Sequence, residues 1–170
     1  KPDRDEKVLT AWNGLMMASF AEAGVILNRP DYTDAARRNA DFLLTSLVRD
    51  GRLLRSWKNG TAKFNAYLED HAFLTEGLVT LFETAGEFRW LKEALALTER
   101  MIEEFWDNER GGFFFTGKTH ESLIVSSKDY FDNATPSGNS VAAIVLLRLA
   151  LLTGKENYRN LAVAILQEIG

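Results

Sequence analysis

The residues best suited to proton transfer lie side by side in the segment Glu69-Asp70-His71. Paired carboxylates can act as general acid and general base, as in glycoside hydrolysis or sugar isomerisation. Acidic residues are also common in the first turn of a helix, where they cap free N–H groups. We therefore take Glu69 and Asp70 as candidate catalytic residues, with helix capping as the alternative explanation of the pair.

Two further polar segments precede apolar runs in the same way, Thr10-Ala11-Trp12-Asn13 and Ser137-Gly138-Asn139-Ser140. Aligning the apolar patterns places Trp12, His71 and Asn139 at equivalent positions near helix N termini. Because the N-terminal end of a helix carries partial positive charge, three such ends would favour anionic or hydroxyl-rich ligands in a shared cavity. Hydrogen bonding to connector backbone is the alternative role for the asparagines.

Asp132 lies just upstream of the third polar segment and is the third catalytic candidate, because it could reach the same cavity. Aromatic side chains near the mouth of this cavity suit sugar rings, which present C–H faces beside hydroxyl groups. Aromatic residues are also common in protein cores. His71 titrates near neutral pH, but a lone histidine on an apolar helix is more often a core residue. The candidate substrate-binding residues are Trp12, Asn13, Trp57, His71, Tyr130 and Asn139.

Three helical hairpins built to one pattern must position these residues. In each, an apolar helix is followed by a tight turn and then by an amphipathic helix that opens with an aromatic residue. The aromatic recurs after 58 and then 68 residues, each time with alanine four residues later: Tyr32 and Ala36, Trp90 and Ala94, Tyr158 and Ala162. A helix that is apolar all round is surrounded by protein, whereas an amphipathic helix buries one face. Their alternation predicts an all-α fold, an α/α toroid.

The hairpins are predicted at about residues 5–49, 67–106 and 137–170 of a single domain. We expect Asp31 to cap the second helix, and Gly86 and Gly154 to end the third and the fifth. In the connector 51–66, Asn59-Gly60 is a strong hairpin-turn signal between apolar runs. The connector 107–136 carries further apolar runs at 111–115 and 123–125. Small β-hairpin excursions are therefore predicted in both connectors.

Composition excludes several functions. A chain of 170 residues with 46% hydrophobic content can build one core, and a net charge of −4 with scattered basic residues argues against nucleic-acid binding. With no cysteine and only two histidines, we expect no disulfide, no metal site and no cofactor. No apolar run is long and uninterrupted enough to span a membrane, so we expect a soluble, cytoplasmic protein.

Three motifs, in order, resemble the YyaL-like proteins, which are related to the spermatogenesis-associated thioredoxin-domain proteins. The motifs are Arg4-Asp5-Glu6-Lys7-Val8-Leu9-Thr10-Ala11-Trp12-Asn13-Gly14-Leu15-Met16, Leu68-Glu69-Asp70-His71-Ala72-Phe73-Leu74 and Ala134-Thr135-Pro136-Ser137-Gly138-Asn139-Ser140. The resemblance spans essentially the whole chain. It implies three consecutive hairpins of an (α/α)6 barrel of the six-hairpin glycosidase and N-acylglucosamine 2-epimerase type, which in this family follows a thioredoxin-like domain.

The resemblance also bears on the catalytic candidates. Relatives in this family usually carry tyrosine where His71 stands, which argues against His71 as an essential acid or base and favours Glu69 and Asp70. The first and last residues indicate a piece of a longer protein. Since three hairpins cannot close a ring of six, the helices at the two edges would expose apolar faces. We expect self-association, or packing of these edges against other parts of the same chain.

Two functions fit these observations. The first is a carbohydrate-active barrel, either a glycosidase-like hydrolase or a sugar isomerase or epimerase, for which Asp70→Asn abolishes turnover and leaves the melting temperature almost unchanged. The second is a non-catalytic module that binds a peptide or protein at the mouth of the barrel. A binding module requires an apolar, uncharged mouth, and three or more acids in the cavity would count against it.

Overall fold

The computed structural model describes residues 5–120 and 127–169 and is mostly helical. Its six long helices are α1 Thr10–Ile26, α2 Pro30–Ser46, α3 Leu68–Ala85, α4 Phe88–Phe105, α5 Gly138–Thr153 and α6 Glu156–Ile169. None of the helices in this described part is long and apolar enough to cross a membrane.

The helices form two layers. α1, α3 and α5 lie side by side, with α3 between the other two, and α2, α4 and α6 each pack on the preceding helix. α3 is the most enclosed: between Leu68 and Leu81, every residue is buried except Glu69 and Glu76. We call α1, α3 and α5 the inner layer, and the side of this layer that faces away from the outer helices the concave face.

The recurring aromatic and alanine residues anchor the outer helices to the inner layer. Tyr32, Trp90 and Tyr158 are each the third residue of an outer helix. The alanines one turn later, Ala36, Ala94 and Ala162, are almost completely buried, as are the Trp90 and Tyr158 side chains. A small residue at this position lets the two helices of a hairpin approach closely, which explains why the pair recurs in all three hairpins.

The ends of the helices agree with the sequence except at α2. Gly86 and Gly154 follow α3 and α5 in the left-handed conformation, as predicted. The expectation that Asp31 caps α2 is wrong, because α2 already begins at Pro30, with Arg29 in the cap position. Proline suits the first helical position, since its φ is preset and it has no N–H to satisfy. The Asp31 carboxylate instead pairs with the Arg29 guanidinium at 2.7 Å.

The first connector forms the predicted hairpin and a small antiparallel sheet. Strands β3 (Arg52–Lys58) and β4 (Thr61–Asn65) pair across the turn at Asn59-Gly60, whose φ angles are both positive. Two strands that we did not predict, β1 (Val8–Leu9) and β2 (Val48–Arg49), also pair with β3. Each is only two residues long, too short for a period-2 pattern. Through β1, the sheet holds the start of α1 against the connector that leads into α3.

The second predicted β-excursion is not a strand pair in the described residues. The segment 111–115 contributes a single bridge, between Trp106 and Phe113. Gly111 and Gly112 both have positive φ, and their backbone groups bond to Asp107 in a tight turn, which bends the chain away from an extended path. The apolar run at 123–125 lies outside the described residues.

Candidate functional site

A cavity of about 430 Å³ opens on the concave face between α1, α3 and α5. We call it the concave-face cavity. Its polar lining is Ser19, Glu22, Glu76, Thr80, Asp132 and Ser140, and its apolar lining is Leu15, Ala18, Pro136, Val141 and Ile144. Three carboxylates from three separate segments of the chain therefore share one cavity with hydroxyl groups and aliphatic side chains.

Glu76 is the central carboxylate of this cavity. It lies in the middle of α3 and is only partly exposed on a helix whose neighbouring residues are buried. Burial raises the pKa of the Glu76 carboxyl, the Glu22 carboxylate raises it further, and the Arg148 guanidinium acts in the opposite direction. Within residues 5–120 and 127–169, no side chain or backbone N–H donates a hydrogen bond to Glu76. Its carboxyl group is thus free to contact a ligand in the cavity.

Arg148 on α5 places a positive charge beside the cavity, next to the lining residue Thr80. Its guanidinium donates to the Glu83 carboxylate at 2.6 Å and to the Thr80 hydroxyl at 2.9 Å. Glu69, Glu76 and Glu83 follow one another at seven-residue spacing, which places them on one stripe of α3. Glu83 is neutralised by Arg148, whereas Glu76 has no such direct contact.

Asp132 reaches the cavity from the connector before α5. Its carboxylate accepts a hydrogen bond from the backbone N–H of Ser137 at 2.9 Å. Ser137 is the N-cap of α5, and its hydroxyl accepts from the Ser140 N–H. The cap thus fixes the connector to the start of the helix. Asp132 itself is exposed, so its carboxylate lies in contact with water at the edge of the cavity.

Glu69 and Asp70 meet on Arg55, at the start of α3. The Arg55 guanidinium contacts a Glu69 oxygen at 2.9 Å and an Asp70 oxygen at 3.0 Å. Asp70 is completely buried, and its two oxygens also accept from the N–H groups of Ala11 and Tyr67. Burial raises the pKa of Asp70 to about 6, against the effect of Arg55. Helix capping, the alternative weighed for the pair, describes Asp70, while Glu69 remains partly exposed.

His71 lies away from the concave-face cavity. It is 2% exposed, and its ring packs edge-on against Phe105 of α4. Burial lowers the pKa of His71 to about 4, so the ring is neutral at pH 7. Its Nδ1 atom has no hydrogen-bond partner among the described residues. In this arrangement the side chain contributes to the packing of α3 against α4.

Asn139 is also buried, and it bonds to connector backbone, the alternative role considered above. Its amide oxygen accepts from the Phe113 N–H at 2.8 Å, and its amide nitrogen donates to the carbonyls of Phe113 and Asp129. Tyr130 packs near Gly112 in the same connector, with its hydroxyl buried. Burial raises the pKa of the Tyr130 hydroxyl. Asn139 thus holds the second connector against α5, and Tyr130 packs within that connector.

The remaining substrate-binding candidates lie on or near α1. Trp12 is 65% exposed, so its indole ring is open to solvent. The Asn13 amide donates to the Leu9 carbonyl and lies in a shallow groove between α1 and α2. Trp57 packs edge-on against Phe42 of α2. The structure therefore does not bring Trp12, His71 and Asn139 into one cavity, and Trp12 alone of the six candidates has a largely exposed side chain.

Sequence reasoning missed the two glutamates of the cavity, Glu22 and Glu76. The signal that could have found Glu76 was its spacing from Glu69. Seven residues are two helical turns, so a charged residue at that distance, on an otherwise buried helix, must lie on the same open stripe. The apolar pattern of this helix alone does not show which way Glu76 faces.

No protein-family model matches the sequence. Curated relatives do match it. The chain is similar to spermatogenesis-associated protein 20. It is 37% identical to the protein of Homo sapiens over 177 residues, which are 98% of this chain and 22% of that protein. An uncharacterized protein of Caenorhabditis elegans is 32% identical over 169 residues, or 95% of this chain and 23% of that protein. The chain thus spans about a fifth of the length of these relatives.

Three solved structures with the same fold have names that describe enzymes acting on sugars. The cellobiose 2-epimerase of Spirochaeta thermophila has a TM-score of 0.78 at 16% identity, covering 96% of this chain and 43% of that one. The GH76 α-mannanase of Bacteroides thetaiotaomicron has a TM-score of 0.73 at 14% identity, covering 97% and 45%. A D-mannose isomerase has a TM-score of 0.75 at 16% identity, covering 97% and 45%. The predicted α/α toroid fold is confirmed.

Proposed function

We propose that the protein is a carbohydrate-active enzyme of the glycosidase-like or epimerase-like kind, and that it binds its sugar in the concave-face cavity. One observation carries this proposal: Glu22, Glu76 and Asp132, from three separate segments, line a single cavity between the inner helices. Carboxylates accept hydrogen bonds from sugar hydroxyl groups and can also transfer protons. The aliphatic residues of the same lining, such as Leu15 and Ile144, suit the C–H faces of a sugar ring.

The earlier candidates take different parts in this proposal. Asp132 and Glu69 are the exposed or partly exposed carboxylates near the N-terminal ends of the inner helices, so they remain proposed acid or base groups. Asp70 acts through Arg55 and the two helix N termini as a positioning residue. Trp12 offers an exposed ring face in the first turn of α1. Proteins of the same fold that are named for cellobiose and mannose suggest the size of the ligand.

The alternative, a module that binds a peptide or protein at the barrel mouth, required an uncharged, apolar mouth. Three carboxylates in one cavity count against it, since each would lose water on contact with an apolar partner. A small polar ligand avoids this cost because its hydroxyl groups replace the lost water.

Saturation-transfer NMR tests the proposal, with glucose, mannose, cellobiose and an α-1,6-linked mannose disaccharide as the panel. We expect transfer to at least one sugar from the wild-type protein. Ile144→Trp fills the cavity with a larger side chain and should abolish that transfer. Leu151→Trp is the matched control, because Leu151 lies on the same helix but is 87% exposed and lies outside the cavity.

Equal transfer from both tryptophan variants would place the sugar elsewhere and contradict the proposed site. Silence across the panel from a folded wild-type protein would contradict carbohydrate binding itself. In that case, the binding-module alternative would be tested next, by titration with peptides.

A further inference from the structure

The titratable side chains of the concave-face cavity are all carboxylates. Among the described residues that line it, the side chains that can carry a proton are Glu22, Glu76 and Asp132, and none is a histidine, lysine or tyrosine. His71 lies on the same helix as Glu76, but on the side of α3 away from the cavity, where it is buried against Phe105. Two carboxylates, one protonated and one ionised, are the set that glycoside hydrolysis uses. The cavity therefore favours hydrolysis over the other reactions of this fold.

Glu76 has the surroundings of the protonated partner. It projects from the middle of α3, where residues 70–75 and 77–81 are buried, so little water reaches its carboxyl group. Glu22 faces it across the cavity with like charge, and Arg148 is occupied by hydrogen bonds to Glu83 and Thr80. Burial raises the pKa of Glu76 most, the Arg148 charge opposes this with a smaller effect, and the Glu22 carboxylate raises it further. The net direction is upward, which keeps a proton on the group to higher pH.

Asp132 has the surroundings of a group that can act on a water molecule. It is exposed to water, and one of its oxygens accepts the Ser137 N–H, a hydrogen bond that a carboxylate makes as an acceptor. The other oxygen has no partner among the described residues and can accept a proton from a bound water molecule. The two acids of the cavity thus differ in their access to water, since Glu76 is partly buried and Asp132 is exposed.

The other carboxylates near the inner helices fit these roles less well. Glu69 is held by the Arg55 guanidinium, Glu83 by Arg148, and Asp70 has no exposed surface. Glu22 is exposed on α1, and no backbone N–H of the described residues bonds to its carboxylate. Glu76 is the one acid of the cavity that combines partial burial with a carboxyl group free of hydrogen bonds to described residues.

We propose that the protein hydrolyses a glycosidic bond, with Glu76 as the general acid and Asp132 as the general base. This inference rests on the proposed carbohydrate-binding function of the same cavity. Glu76 gives its proton to the glycosidic oxygen as the bond from that oxygen to the anomeric carbon breaks, and the bonding electron pair stays on the oxygen. A water molecule forms the new bond to the anomeric carbon and gives its proton to Asp132. Solvent then returns the proton to Glu76, so the net reaction consumes one water.

Leaving-group dependence tests the acid. The 4-nitrophenolate group leaves without a proton from an acid, whereas the hydroxyl oxygen of a second sugar needs that proton to leave. We expect Glu76→Gln to lower kcat/KM for the disaccharide that binds the wild-type protein by about 100-fold or more, and to lower it for the matching 4-nitrophenyl glycoside by less than about 10-fold. The alkaline limb of the pH profile should vanish with the acid. Glu103→Gln is the control, since Glu103 is exposed on the outer helix α4 and lies outside the cavity, and both rates should stay near wild type.

The outcomes separate this inference from the proposal on which it rests. Equal losses for both substrates in Glu76→Gln, or no loss for either, overturn the acid role and leave carbohydrate binding intact. Epimer formation without hydrolysis overturns hydrolysis alone. Absence of any sugar binding to the folded wild-type protein overturns both proposals. Glutamine has the shape of glutamate and needs no charge neutralised, so we expect the melting temperature of Glu76→Gln to match that of the wild type.

Discussion

The Asp70 carboxylate on α3 accepts a hydrogen bond from the backbone N–H of Ala11 on α1, at 3.0 Å. Its second oxygen accepts from the Tyr67 N–H at 2.9 Å and contacts Arg55 at 3.0 Å. One buried carboxylate thus satisfies free N–H groups at the N termini of two neighbouring inner helices. This single side chain therefore aligns the first turns of α1 and α3.

We expect Asp70→Asn to destabilise the protein by about 2 to 3 kcal/mol, because an amide cannot accept at both positions and leaves a buried N–H unpaired. The melting temperature should fall by about 6 to 10 °C. The catalytic interpretation of Asp70 predicts the opposite, a loss of turnover with an almost unchanged melting temperature. Thermal unfolding followed by circular dichroism separates the two.

Glu69→Gln is the matched control for Asp70→Asn. Both acids contact Arg55, but Glu69 is partly exposed and caps no helix. We expect a change within about 0.5 kcal/mol, as for most exposed positions. If both variants lost the same stability, the ion pairs with Arg55 rather than the backbone hydrogen bonds would hold the two helices together.

The buried His71 ring makes stability depend on pH. The pKa of His71 is about 4 in the folded state, below its ordinary value of 6.5, so the unfolded chain binds more protons between these values. Stability from this group is complete above about pH 6.5 and is lost as the pH falls towards 4. Between pH 7 and pH 4.5 the loss should be about 2 to 3 kcal/mol.

Asp70 acts in the same pH range with the opposite sign, so a difference measurement is needed. Its pKa of about 6 lies above the ordinary 3.8, and its contribution is lost as the pH rises through that range. We expect the stability of the wild type minus that of His71→Gln, from urea denaturation, to shrink by about 2 to 3 kcal/mol from pH 7 to pH 4.5. A difference independent of pH would show that the ring is not buried in its neutral form.

The main elements of the fold could be predicted from the sequence because their signals are local. The aromatic-alanine pairs, the glycines after α3 and α5 and the Asn59-Gly60 turn each depend on a few adjacent residues. The strand Val8–Leu9 could not be predicted in this way, because it exists only through pairing with β3, nearly fifty residues away.

The candidate site was harder to predict, since it depends on which way each side chain faces. His71 and Glu76 lie five residues apart on one helix, so they project from opposite sides of it. The histidine packs on α4 and the glutamate lines the cavity. Hydropathy does not distinguish these sides when the helix is apolar almost all round. Asp132 could be placed near the mouth because its position depends on the start of α5, which the sequence shows clearly.

Gly14 lets the backbone of α1 approach that of α3 closely, and alanine there should destabilise the protein. A Cβ atom at position 14 would lie 2.5 Å from the carbonyl carbon of Phe73 and 2.6 Å from the backbone nitrogen of Leu74. Backbone atoms cannot yield as a flexible side chain would, so the helices must separate. We expect Gly14→Ala to cost about 3 kcal/mol in urea denaturation. Ser19→Ala, on the exposed side of α1, should change stability by less than about 0.5 kcal/mol.

The two edges of the helical array should make this chain self-associate. On α1, Trp12, Met16 and Ile26 are 65%, 53% and 78% exposed, and on α6 Val163 and Leu166 are 41% and 51% exposed. Apolar side chains grouped in this way usually mark a surface that another protein surface covers. We expect light scattering to give a mass above that of the monomer, rising with concentration. Replacing Met16 and Ile26 together by lysine should shift the chain towards the monomer, because two charges cannot be buried in such a contact.

Phe88→Lys controls for the added charge in that experiment. Phe88 is 67% exposed at the start of the outer helix α4, in the middle hairpin and away from both edges. Association should persist in this variant. A monomeric wild type at every concentration would contradict the expectation, and would show that side chains such as Trp12 are tolerated in water at these edges. Loss of association in Phe88→Lys as well would mean that net charge, rather than the edge of α1, controls the assembly.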